Sequence, residues 1–387
     1  MSDLYRSAMS ARLAKLPTTL PPLDSNEDEE EDENDSLGSL PGSGLGPPAL
    51  QVFQPALRPR QAQKKREPNP AFSPLSAATY FDDAVQVTVP SRNLEFRVYY
   101  TPPKFADGTV MICHHGAGYS GLSFACFAKE LTDMSRGECG VLAFDARRHG
   151  KTHAISGEED QSLSVEVLVE DLLEIVKVIF PKPAESPSLL LIGHSMGGSV
   201  VVRCCPLLLE QKYRVAGVTV IDVVEGSAIE ALPHMHSLLN ARPDGFDSLE
   251  EAVEWHVTTK TIRNVHSARM SIPVTFVPTP SGSKSVHAFT WRTPLRSTAP
   301  YWTSWFAGLS SKFLAARTAR LLVLAGTDRL DKELMIGQMQ GKFQMIVIPN
   351  VGHMVQEDDP TKLAEIMIEF WKRNERVIVG VKKVGEA

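Results

Sequence analysis

No stretch of this chain approaches 18 consecutive apolar residues, and the first twenty positions scatter their charges without the apolar core of a signal peptide. The expectation is a protein of the cytoplasm or the nucleus, without a membrane span. Cysteine is scarce: Cys113, Cys126, Cys139, Cys204 and Cys205 make an odd number, show no C-x-x-C spacing and lie mostly in apolar runs. That excludes a disulfide framework and reads as buried, reduced thiols. No G-x-G-x-x-G follows a strand, and His234-Met235-His236 stands without carboxylate or cysteine partners at ligand spacing. No cofactor and no metal are therefore expected. Strong positive charge is lacking too: the net charge is -6, and the first 70 residues hold 11 acidic against 8 basic side chains. Neither that segment nor the remainder has the excess a nucleic-acid binder needs.

What is present is ordinary globular composition, 43% hydrophobic and 22% charged over 387 residues, enough for one large α/β domain. Residues 1–70 are rich in Pro, Gly, Ser and charge, with an acidic run from Glu27 to Asp35 and a basic cluster from Arg58 to Arg66. Such a segment buries too little apolar surface to offset its ordering entropy, so a disordered tail is expected. The basic cluster reads equally as a nuclear localisation signal or a solvated tail. An ordered domain is expected over 71–376, with 377–387 as a second tail.

Within the domain, strands are expected at 84–89, 94–100, 110–114, 140–145, 188–192, 215–222, 319–325 and 344–349, alternating from the third onward with helices such as 123–134, 164–180 and 363–373. That rhythm predicts an α/β fold, a mostly parallel eight-stranded sheet with helices on both faces; the α/β-hydrolase kind follows only with the G-x-S-x-G turn at 193–197. Residues 227–317 break the rhythm. They contain Trp255, Trp291, Trp302 and Trp305 and a Pro/Ser/Gly stretch at 278–285. They read as a helical cap over the sheet's edge, with a flexible loop inside and the aromatics mostly in its core.

The chemistry centres on Gly193-His194-Ser195-Met196-Gly197, a G-x-S-x-G between an apolar strand and a helix. The sharp turn aims the Ser195 hydroxyl at solvent and sets the Met196 N–H at a helix N-terminus, where a developing oxyanion is favoured. A serine nucleophile needs a base and a group to orient it. Of eleven histidines, only His353 follows the last strand, where the chain order of this fold puts the base. Two aspartates end core strands between them, Asp222 and Asp328, and the fold pattern leans to Asp328. A second oxyanion donor is expected from the loop His115-Gly116-Ala117-Gly118 through the Ala117 amide. His115, Gly116 and Gly118 are assigned to substrate binding, with His115 fixing the loop. Asp145 and His149, at another strand end, read as loop-structural.

Several stretches go beyond the generic fold: Phe72-Ser73-Pro74, Gly193 to Gly198, Ile221-Asp222-Val223-Val224-Glu225-Gly226, Ile262-Arg263-Asn264, Tyr301-Trp302 with Trp305-Phe306, Asp328-Arg329-Leu330-Asp331 and Ile336 to Met345. On these the chain resembles the protein phosphatase methylesterases, which remove the methyl ester from the carboxyl-terminal leucine of the protein phosphatase 2A catalytic subunit. The resemblance implies Ser195 as nucleophile, His353 as base and Asp222 as acid. It implies an acyl-enzyme route, with that catalytic subunit as partner. A small-ester or lipid hydrolase and a phosphatase-binding scaffold are the alternatives.

Overall fold

The computed structural model describes residues 67–375 apart from 106–107, 159, 284 and 327–329. The expected tails therefore lie outside the described residues, except for 67–70. The first strands, β1 (Asp83–Val89) and β2 (Leu94–Thr101), form an antiparallel hairpin in register from Asp83 opposite Tyr100 to Val89 opposite Leu94. β2 then pairs antiparallel with β4 (Cys139–Phe144), which lies beside β3 (Thr109–His114). A two-residue strand, β5 (His153–Ala154), also pairs with β2. It makes a ninth member that apolar patterning could not reveal, since two residues carry no period. β6 (Ser188–His194) and β7 (Val215–Ile221) continue the sheet in parallel.

Every residue of β3, β4 and β6 is buried, which is why these strands read as continuous apolar runs. Their side chains nonetheless alternate between two cores. Val110, Ile112, Leu189 and Leu191 pack on the face covered by α2 (Val165–Ile179) and α3 (Met196–Glu210). Met111, Cys113, Leu190 and Ile192 pack on the opposite face, covered by α1 (Ala125–Met134). In α2 the stripe Leu168, Leu172, Ile175 and Val176 is buried, each residue contributing about 1.5–3 kcal/mol as an upper figure, and Ser164 caps the helix by accepting from the Val167 N–H.

Between β7 and the next core strand lie five helices, α4 (Glu225–Asn240), α5 (Leu249–Thr258), α6 (Val265–Ser271), α7 (Trp302–Phe306) and α8 (Leu309–Ala315). This region is not only helical. β8 (Gly245–Phe246), β9 (Phe276–Pro278) and β10 (Phe289–Trp291) form a separate antiparallel sheet in the order β8-β10-β9. Pro278, expected to open a flexible loop, instead pairs opposite Phe289, and the Thr279 N–H donates to Ala288 O. Proline at the end of an edge strand forfeits no ladder bond, so its presence misled the reading. Phe246, Trp255, Phe276 and Trp291 seal this sheet through edge and tilted ring contacts.

The main sheet closes with β11 (Ala319–Leu324), α9 (Lys332–Met339), β12 (Gln344–Val347), α10 (Val355–Asp358) and α11 (Pro360–Glu375). Its order is β1-β2-β4-β3-β6-β7-β11-β12, parallel from β4 onward. All five cysteines are buried and none is joined in a disulfide. Among the described residues no helix is long and apolar enough to cross a membrane.

Candidate active site

β6 ends at His194, and Ser195 follows with φ 52° and ψ -119° as the N-cap of α3. A positive φ is costly for a serine and persists only where the surroundings enforce it. Here the glycines do so. A Cβ on Gly193 would stand 2.2 Å from Gly197 O, and one on Gly197 would stand 2.3 Å from His114 O. Only glycine lets strand and helix meet this closely, while the Ser195 N–H donates to Ile221 O at 3.0 Å. Ser195 is 5% exposed and lines a partly covered cavity rather than standing free at the sheet's edge. The expectation of a solvent-facing hydroxyl is corrected by the helices that follow β7, which cover the sheet's edge.

At the next strand end, Asp222 also has a positive φ, 50°, and its N–H donates to Val323 O at 2.8 Å. Its two carboxylate oxygens do different work. Oδ1 accepts from the Ala325 N–H at 2.7 Å, and Oδ2 accepts from His353 Nδ1 at 2.7 Å. With Nδ1 protonated, His353 keeps a lone pair on Nε2, the state a general base needs. Ser195, Asp222 and His353 line one cavity of about 160 Å3. Asp328, which the strand pattern favoured, lies outside the described residues.

His353 is held from behind. His194 Nε2 donates to His353 O at 2.8 Å, and the two rings pack with centroids 4.6 Å apart. Burial pushes His194 well below the ordinary histidine range, so it stays a neutral donor. Sequence reasoning counted His194 only as a rival base; nothing local reveals that its ring reaches a carbonyl 159 positions away.

The loop after β3 is fixed by two further neutral histidines. The Ala146 N–H donates to His115 Nε2 at 2.9 Å, so His115 Nδ1 carries the proton and donates to Gly116 O at 2.8 Å. Likewise the Gly118 N–H donates to His149 Nε2 at 2.9 Å, and His149 Nδ1 donates to Arg147 O at 2.8 Å. Burial drives His115 well below its usual range and lowers His149 to about 4, which keeps both acceptors unprotonated. Beneath them Asp145 accepts from the Gly121 and Lys151 N–H groups, both at 2.8 Å, and burial raises its carboxyl to about 6. Asp145 and His149 thus have the loop-structural roles read from their positions.

Two of the three residues assigned to substrate binding are displaced from that role. Only Gly116 lines the cavity, and a Cβ there would stand 3.2 Å from Ser195 Cβ. His115 is fully buried behind the loop, where its ring spends both nitrogens on backbone. Gly118 turns away at φ 83°, close to Leu295. Ala117 and Met196 do line the cavity, and Met196, as first residue of α3, has an N–H without an intrahelical acceptor.

The cavity's larger wall is apolar: Ala231, Leu232, Met235 and Leu238 from α4, with Trp302 and Trp305 from α7. Of the tryptophans read as core, Trp302 and Trp305 are buried and also form this wall, whereas Trp255 and Trp291 are only half-buried. His236 packs on Trp302 at 4.9 Å. Among the described residues no group of three or more His, Cys, Asp or Glu could hold a metal ion.

The chain matches the alpha/beta hydrolase family over residues 111–366. It is 43% identical to protein phosphatase methylesterase 1 of Cryptococcus neoformans over 420 aligned residues, covering 100% of this chain and 96% of the relative. It is 37% identical to protein phosphatase methylesterase 1 of Saccharomyces cerevisiae, covering 92% of this chain and 90% of that one. Among solved structures, E-2-(acetamidomethylene)succinate hydrolase superposes with a TM-score of 0.58 at 15% identity, covering 75% of this chain and 99% of that chain. The thioesterase domain from the curacin biosynthetic pathway does so with a TM-score of 0.53 at 16% identity, covering 74% and 98%. At these identities the structural likeness speaks for the fold.

Proposed function

Because the chain belongs to the protein phosphatase methylesterases, within the alpha/beta hydrolase family, we propose that it removes the methyl ester from the carboxyl-terminal leucine of the protein phosphatase 2A catalytic subunit. The observation that carries this reading is the 2.7 Å contact between Asp222 and His353 in the cavity that Ser195 lines.

Ser195 Oγ attacks the ester carbonyl carbon as His353 Nε2 takes its proton, and Asp222 stabilises the resulting imidazolium. The negative charge on the carbonyl oxygen faces the Met196 and Ala117 amides, each such donor being worth about 10²- to 10³-fold in rate. The C–O bond to the methoxy group breaks, and His353 returns the proton so that methanol leaves. Water, deprotonated by the same imidazole, attacks the acyl-serine; the Ser195 oxygen departs with that proton, and the leucine carboxylic acid is freed and loses its own proton to solvent as the carboxylate. The apolar wall from α4 and α7 suits the isobutyl side chain, whose burial contributes about 1.5–3 kcal/mol. Five buried thiols outside any disulfide accord with a reducing compartment, cytoplasmic or nuclear.

The test is methanol release from the carboxymethylated catalytic subunit. Wild type turns it over and Ser195→Ala does not; full activity in Ser195→Ala refutes the mechanism. Much faster turnover of short acyl esters than of the methylated subunit would favour a small-ester hydrolase, a reading that the apolar cavity also accommodates.

A further inference from the structure

The active cavity has a second wall of opposite character, formed by Tyr119, Arg242, Trp255, His256 and Thr261, and the ester chemistry makes no use of it. Arg242 lies over Trp291, its guanidinium carbon 3.7 Å from the ring centre. That stack orients the planar fork while leaving its edge donors available. Among the described residues the Arg242 guanidinium meets no carboxylate in ion-pair reach and no hydrogen-bond acceptor. Nearby acids are committed elsewhere: Asp244 pairs with Arg296 at 3.3 Å and Asp247 with His287 at 3.4 Å. Arg296 also donates to Asn240 Oδ1 and Leu239 O, so it is not competing for a ligand in the cavity.

The polar neighbours of Arg242 are equally unspent. His256 Nδ1 donates to Ala252 O at 2.7 Å, which leaves its Nε2 without a partner among the described residues. The Tyr119 hydroxyl likewise has no partner among them. The Arg242 guanidinium is half-buried, so its donors face the cavity with no acceptor from the described residues and are open to one from a ligand. A carboxylate matches the fork bidentately and can take a further hydrogen bond from a tyrosine hydroxyl.

We propose that Arg242, set on Trp291 and flanked by Tyr119 and His256, is a carboxylate-binding subsite of the active cavity. It takes an anionic group of the peptide whose esterified end lies at Ser195, and in this it rests on the reading of the protein as a peptide methylesterase. That group is either an acidic side chain upstream of the esterified leucine or the carboxylate that hydrolysis creates.

The experiment uses the full chain in two arms. In the first, leucine methyl ester peptides carry one aspartate walked through the upstream positions, each matched with an asparagine peptide. At one position aspartate lowers KM roughly tenfold or more, as a charge-assisted hydrogen bond implies, and Arg242→Gln brings the Asp/Asn ratio to near one. In the second arm, free-acid leucine peptides and their amides compete with p-nitrophenyl acetate; a lower Ki for the acid, abolished by Arg242→Gln, assigns the subsite to the product carboxylate. Arg242→Lys keeps the charge but loses the planar fork, and should retain only part of either preference. The proposal is overturned if wild type distinguishes neither Asp from Asn nor acid from amide, or if its preference survives Arg242→Gln. Wild type without either preference overturns the proposal whether or not Arg242→Gln folds, and if that variant does not fold, Arg242→Lys reads the guanidinium's part: a full preference in it overturns the proposal. If leucine methyl esters are not turned over at all, the methylesterase reading falls, while competition against the short ester still tests the subsite.

Discussion

Replacing Asp222 with asparagine separates shape from charge at the point where the site is most tightly specified. The backbone tolerates the change, because asparagine adopts a positive φ such as the 50° found here more readily than most residues. Asp222 Oδ1 accepts from the Ala325 N–H at 2.7 Å, so the new side chain keeps its oxygen there and turns its NH2 toward His353. Two donors then face each other unless the imidazole moves its proton from Nδ1 to Nε2. That tautomer has no lone pair to receive the Ser195 proton. In another serine hydrolase the equivalent exchange of acid for amide costs about 10⁴ in kcat, or about 5.5 kcal/mol of transition-state stabilisation. We expect a loss of that order in Asp222→Asn, with KM changed little, since the apolar wall is untouched. The assay is steady-state turnover of a leucine methyl ester peptide, with a serine-directed fluorophosphonate labelling rate as a readout of Ser195 nucleophilicity. Thermal unfolding establishes that the variant is folded. A folded Asp222→Asn that keeps more than about a tenth of wild-type kcat refutes the argument. Asp328→Asn belongs in the same experiment: if it alone abolishes turnover, the acid has been assigned to the wrong strand.

Two further expectations concern stability. Gly193→Ala places a methyl 2.2 Å from Gly197 O and 2.5 Å from Gly198 N. Backbone atoms cannot swing aside, so a loss of about 3 kcal/mol or more is expected, roughly 5–10 °C in Tm; an unchanged Tm with full activity would show that the turn is not constrained as described. Glu357 is buried and accepts from Ser267 Oγ and Ser271 Oγ at 2.8 and 2.5 Å, and burial raises its carboxyl to about 8. The folded state therefore holds a proton that the unfolded chain releases near pH 4.5. The stability this contributes is complete below that pH and is lost as pH rises toward 8, by an amount of the order of a few kcal/mol. Urea unfolding of wild type against Glu357→Gln should show a stability difference that declines between pH 5 and pH 8; a flat difference contradicts it.

Sequence alone determined the alternation of strands and helices, the buried sheet and the places of Ser195 and His353. The reasons are local: a short apolar run, rich in β-branched residues and bounded by turn residues, favours a buried strand over a helix, and G-x-S-x-G after such a run marks a sharp strand-to-helix turn. The two-residue β5 and the small sheet β8-β10-β9 escaped because they are too short for periodicity to register. The acid was undecidable locally, since β7 and β11 are neighbours and each ends in a loop carrying an aspartate. Tertiary structure shows Asp222 as the residue that meets His353, through a hydrogen bond spanning 131 positions. It also set His115 and Gly118 behind the cavity lining, turned His194 into a support for His353, and laid α4 and α7 over Ser195 as a wall. These roles depend on which surfaces meet when the segment after β7 folds back over the sheet. That is fixed by packing between residues far apart in the chain, which no window of sequence contains.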